Sequence, residues 1–214
     1  MTADALPATV PIFPLSGALL LPYGQLPLNI FEPRYVALIE DALAGGRFMG
    51  MVQPRDADGE TVANDGAIFE IGCLGRITSF TDPGDGRYEI VLSGTCRFRI
   101  AEELPMQRGY RRVTADFGPF LGDLDPTAAE IANRPQLLAA MKGYFRQRNL
   151  EADWQALDEV PDLVLVTTAA MGCPIKPQEK QLLLEAPDVA ARAERLQAIL
   201  EMAQHEPSGP AARH

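Results

Sequence analysis

The sequence predicts an α+β protein: a small, curled antiparallel β-barrel with one inserted helix, followed by a bundle of α-helices. Three observations carry this. Short apolar runs separated by Gly, Pro, Asp and Asn fill the chain as far as Phe117. A composition break follows at Gly118 to Pro126, with two glycines, two prolines and two aspartates. Beyond it the apolar period changes from two to about 3.6. The expected division is a flexible tail at 1–8, a β-barrel domain at 9–118, a helical domain at 119–205 and a disordered tail at 206–214.

Taken in order, Val10 to Leu21 reads as two short strands broken by Pro14 and Ser16-Gly17, with Pro22-Tyr23-Gly24 turning into a third, Leu26 to Ile30. These runs are almost wholly apolar, the pattern of strands covered on both sides. Tyr35, Leu38, Ile39, Ala42 and Leu43 then fall at helical spacing. Pro33 suits the first turn, where its missing N–H costs nothing, and Gly45-Gly46 is expected to supply a left-handed stop. The strand Phe48 to Gln53 leads into a polar loop, Pro54 to Gly66. Ala67 to Phe80 resumes the strand pattern, and Gly72 and Gly75 within it mark a bulge or a barrel corner. Thr81 to Gly86 forms a hairpin loop, after which Tyr88, Ile90 and Leu92 share a face. Ser93-Gly94-Thr95 is expected to turn the chain again before Cys96, Phe98 and Ile100 point inward. Tyr110 to Phe117 is the last strand. Helices are expected from near Pro135 to Arg148, around Trp154 to Glu159, over Pro161 to Met171 and Pro177 to Glu185, and from an Asp188 N-cap to Gln204.

Composition excludes several function classes. The 214 residues carry a formal net charge of −10, which opposes a phosphate-rich partner; Arg108, Arg111 and Arg112 read as charges on a strand edge. No apolar run approaches the roughly 20 residues that cross a bilayer. Residues 1–8 hold an aspartate and no basic residue, unlike a secretory leader, so a cytoplasmic address with no membrane and no nucleic-acid partner is expected. Cys73, Cys96 and Cys173 are too few and scattered for a disulfide framework or a metal knuckle, and both histidines, His205 and His214, lie in the tail. No metal and no cofactor is expected. Cys73 and Cys96 suit buried strand positions, whereas Cys173, between Gly172 and Pro174, is expected to be accessible. The three lysines, Lys142, Lys176 and Lys180, stand in no phosphate-loop context, and Ser16, Ser79, Ser93 and Ser208 have no nucleophile elbow. The expected set of catalytic residues is therefore none.

Pro11-Ile12-Phe13-Pro14-Leu15, then Leu26-Pro27-Leu28-Asn29-Ile30-Phe31-Glu32-Pro33-Arg34-Tyr35, resembles the opening signature of the N-terminal, substrate-binding domain of Lon proteases. Asp85-Gly86-Arg87 and Gly94 to Ile100 are similar to its later strands, and Lys180 to Glu185 with Arg192 and Leu196 to its helical part. The resemblance covers most of residues 10–203. It implies a PUA-like barrel and a stand-alone form without the ATPase and serine–lysine protease modules of peptidase family S16. The implied role is a non-catalytic polypeptide-binding module for unfolded or tagged proteins, with a full-length Lon protease or another protein as a further partner. Two other readings stay open: an interaction scaffold resembling the Lon region of cereblon, and an RNA-binding PUA-like barrel, which the net charge opposes.

On that resemblance the peptide-binding candidates are Leu20, Leu21, Tyr23, Leu26, Phe31 and Arg34, an apolar patch with one cation. The apolar ones equally suit filling the barrel, and Arg34 equally suits tying the helix start through Glu32.

Overall fold

The computed structural model describes residues 2–55, 65–128 and 130–205; the tail at 206–214 and residues 56–64 of the polar loop lie outside the described residues. Among the described residues six strands and six α-helices follow one another: β1 (Thr9–Pro14), β2 (Gln25–Ile30), α1 (Pro33–Ala44), β3 (Phe48–Val52), β4 (Ile71–Thr81), β5 (Tyr88–Gln107), β6 (Tyr110–Asp116), α2 (Arg134–Arg148), α3 (Trp154–Glu159), α4 (Asp162–Gly172), α5 (Pro177–Leu184) and α6 (Val189–His205). A 3-10 segment, Gly118–Leu124, follows β6. The α+β class and the order of barrel, then helices, are those expected. The described residues fall into two compact units: one holds the chain up to 127 together with 167–185, the other 128–166 together with the chain from 186 onward.

In the first unit, β5, β4, β3, β1 and β6 close a ring, because β6 pairs with both β1 and β5. Every pairing is antiparallel except β1 with β3, which run parallel from Ile12↔Gly50 to Pro14↔Val52. Helix α1 makes the crossover that such a pair needs. Its Tyr35, Leu38, Ile39 and Ala42 are buried, as their spacing dictates. The ring is filled by Val10, Ile12, Leu74, Phe98 and Val113, with Phe117 edge-on to Phe98 at 6.0 Å.

Four local expectations are corrected. The first is the stretch Val10 to Leu21, which gives one strand, not two; Leu19, Leu20 and Leu21 are buried in an irregular segment. Helix α1 stops without a left-handed glycine: Gly45 sits at φ −104°, Arg47 adopts φ 63°, and the Arg47 N–H returns to the Ala42 carbonyl. Ser93-Gly94-Thr95 does not turn the chain. β5 runs on for 20 residues, and the glycine marks a register shift opposite Leu74/Gly75, the bulge that bends a long strand around a small barrel. Cys173 is buried, its N–H bonded to the Ala169 carbonyl at the end of α4.

Residues 167–185 are fastened to the ring by polar side chains reading main-chain carbonyls. Lys180 Nζ donates to Gly17 O (2.8 Å), Gln53 Nε2 to Pro177 O (3.0 Å), Gln181 Nε2 to Ile71 O (3.2 Å) and Arg97 to Leu184 O (3.0 Å). Arg97, 2% exposed, also pairs with Asp123 of the 3-10 segment through Nε (2.8 Å) and Nη2 (2.7 Å). Both charges leave water only because each bond is made.

In the second unit α2 packs on α6. Leu137, Leu138, Met141 and Tyr144 are buried on α2, Ala193, Leu196, Leu200 and Ala203 on α6. Helix ends follow local chemistry. Pro135 sits in the first turn of α2 and left-handed Asn149 closes it (φ 53°). Asp153 caps α3 through the Ala156 N–H, Asp188 caps α6 through the Ala191 N–H, and Arg134 donates to the carbonyls of Leu157, Asp158 and Val160 at the end of α3.

Candidate functional site

Three strand segments leave the ring together. Residues 77–81 of β4, 88–93 of β5 and all of β2 make a small arm of sheet, in which β2 is the edge: among the described residues it pairs with β5 alone, from Gln25↔Ser93 to Ile30↔Tyr88. One face of the arm continues the core, with Ile30, Ile77, Ile90 and Leu92 buried and Leu26 and Leu28 half-buried. Register places Pro27, Asn29, Ser79, Thr81, Glu89 and Val91 on the other face, where they line a concavity of about 400 Å³. At the arm's tip Asp82 and Asp85 accept from the N–H groups of Gly84 and Arg87, which fixes the hairpin loop.

Two exposed aromatic side chains stand at the ends of β2, Tyr23 at 45% exposure and Phe31 at 66%. A strand rises about 3.3 Å per residue, so eight residues put them up to about 26 Å apart, and they form two ends of one edge, not a single patch. Tyr23 has a left-handed backbone (φ 66°), costly for an aromatic residue. Its N–H donates to Gly94 O (3.0 Å), the Gly94 N–H to Gly24 O (2.8 Å) and the Gly24 N–H to Leu21 O (3.0 Å). Gly94 comes so close that a Cβ there would lie 1.9 Å from the Leu21 carbonyl oxygen. A second hollow of about 220 Å³ adjoins Tyr23, lined also by Arg76, Thr78, Thr95 and Leu124. Burial, then the charges of Asp123 and Asp125, push the Tyr23 hydroxyl up, so it stays protonated at neutral pH.

Of the six residues named from sequence, the structure puts Tyr23, Leu26 and Phe31 on this edge. Leu20 and Leu21 are core, with Leu20 against Gly75 and Gly94. Arg34 is bound to Glu32, from Nε at 2.9 Å and Nη2 at 2.8 Å, and lies 4.6 Å over the Tyr35 ring, which packs on Phe13 at 4.1 Å. Sequence reasoning did not single out Pro27, nor exposed Phe80 and half-buried Tyr88, whose rings are 4.9 Å apart. Proline inside a paired strand favours an edge but does not fix one, since Pro11 sits within β1 between β3 and β6.

All three thiols are buried, which drives their pKa values up, Cys96 to about 12 and Cys173 to about 11. Among the described residues no group of His, Cys, Asp and Glu side chains is arranged to hold a metal ion, and no helix is long and apolar enough to cross a membrane.

The family model described as the ATP-dependent protease La (LON) substrate-binding domain matches residues 9–202. The chain belongs to the Lon substrate-binding domain family. Lon protease from Desulfosudis oleivorans is 26% identical over 91% of this chain, and Lon protease 2 from Myxococcus xanthus 26% identical over 93%. The chain spans 24% of the length of each of these two relatives. Among solved structures, a Lon N-terminal domain protein from Xanthomonas campestris matches with a TM-score of 0.61 at 23% identity, covering 89% of this chain and 97% of that one. The N-terminal domain of Mycobacterium avium complex Lon protease matches at 0.60 and 18%, covering 93% and 100%. The Lon N-terminal fold, with its small barrel and helices, is thus the fold of this chain.

Proposed function

We propose that this Lon-type domain is a non-catalytic polypeptide-binding module whose binding surface is the β2 edge of the arm, from Tyr23 to Phe31. Its clients are unfolded or tagged proteins. The observation that carries the reading is the pair of exposed aromatic side chains at the ends of an exposed, half-apolar edge strand. Membership of the substrate-binding family supports it. So does the protonated, buried state of all three thiols, which leaves no activated cysteine nucleophile. Large exposed aromatics at rigid positions engage apolar side chains at little entropic cost, while a polar surround keeps affinity modest.

The test is retention of a reduced, carboxymethylated protein against its native form by the immobilised chain. The unfolded form should be retained, and Phe31→Ser should release most of it without altering the fold, since the ring is largely in water. Equal indifference to both forms contradicts the reading.

A further inference from the structure

Resting on that reading and deepening it, we propose that the client docks as an added β-strand along the free edge of β2, held by its main chain. Pro27 lies opposite Val91 within an uninterrupted pairing. Proline has no N–H, so this position must belong to the set whose main chain faces away from β5, and strand alternation places Gln25 and Asn29 in the same set. The outward edge therefore presents the carbonyls of Gln25, Pro27 and Asn29 and the N–H groups of Gln25 and Asn29. All three residues are exposed, and among the described residues no strand but β5 pairs with β2. One proline discourages unlimited sheet growth along an edge, but five hydrogen-bonding groups remain in the spacing of a strand.

The neighbouring side chains select the occupant. A chain added beside β2 alternates its own side chains between the two faces. On one face it meets Pro27, Val91 and the carboxylate of Glu89, the one charged residue lining the groove; on the other it meets half-buried Leu26 and Leu28. With a formal net charge of −10 on the whole chain, the complement is an extended segment, apolar at alternate positions, with Lys or Arg facing Glu89. Folded proteins keep such segments paired. Selectivity for unfolded chains then follows from geometry, because only an unpaired strand offers its main chain.

The test uses the whole chain and a fluorescent peptide of alternating Val and Lys, with two analogues N-methylated on one or the other alternate set of amides. Only one set faces β2. One analogue should lose affinity by about tenfold or more while the other binds like the parent peptide. Asn29→Pro, which removes an outward N–H and no bond to β5, should weaken the parent peptide comparably with an unchanged melting temperature. Equal binding of all three peptides overturns edge docking while leaving polypeptide binding through side chains intact; binding by none overturns both. A dimer that Asn29→Pro dissociates, with peptide affinity untouched, assigns the edge to a second copy and overturns the proposal.

Discussion

Tyr23 and Gly94 act as one device. The left-handed Tyr23 backbone exists because Gly94 lets the β5 main chain press against Leu21, so the tyrosine is presented by a contact that tolerates no Cβ. Gly94→Ala should cost about 1–3 kcal/mol as backbone is forced aside, seen as a lower melting temperature. Tyr23→Gly should behave oppositely. It relieves a left-handed conformation that disfavours an L side chain by about 1–2 kcal/mol, so stability should hold or rise while retention of unfolded protein falls. A loss of both would mean that the ring is a structural prop. Tyr23 was legible as a candidate from its place in a proline–glycine turn; its backbone strain was not, because that is imposed by a residue 71 positions away.

At the scale of elements, the helices of the second half were nearly readable residue by residue, since Pro135 and Pro177 preset the first turn of α2 and α5 while Asp153 and Asp188 cap α3 and α6 through bonds within one turn. The sheet was less so. Gly94 signals a turn and a bulge equally well in one dimension, and the parallel β1–β3 pair depends on where α1 returns the chain. The Arg97–Asp123 pair is of the same kind. The composition break at Gly118 to Pro126 was read as a boundary; nothing in it signals that the segment places a carboxylate on a buried arginine and Phe120 into the ring's core. Asp123→Ala takes the carboxylate away from the buried guanidinium and should cost about 3–5 kcal/mol, measurable by chemical denaturation.

For the whole molecule, acid is the expected weakness. Hydrogen bonds from Tyr110, then Arg108 and Gln107, hold the Asp41 carboxyl below its ordinary value. For Asp162 burial works the other way, but the Ile131 N–H and Arg134 outweigh it and the carboxyl is again lowered. Carboxyls lowered on folding stabilise above the free value of about 3.9, and that stability is lost as pH falls through the folded values. Melting temperature should therefore fall below about pH 4, and less steeply in a variant carrying Asp41→Asn. Which strand is an edge is a property of the whole sheet, so the sequence could name Tyr23, Leu26 and Phe31 as candidates but not show that they share a sheet edge. The most direct test is residue-resolved amide hydrogen exchange with and without an unfolded polypeptide. The account predicts new protection at the Gln25 and Asn29 amides of β2, with the amides of α2 and α6 unchanged. Protection gained on α2 and α6 while β2 exchanges as before would contradict it.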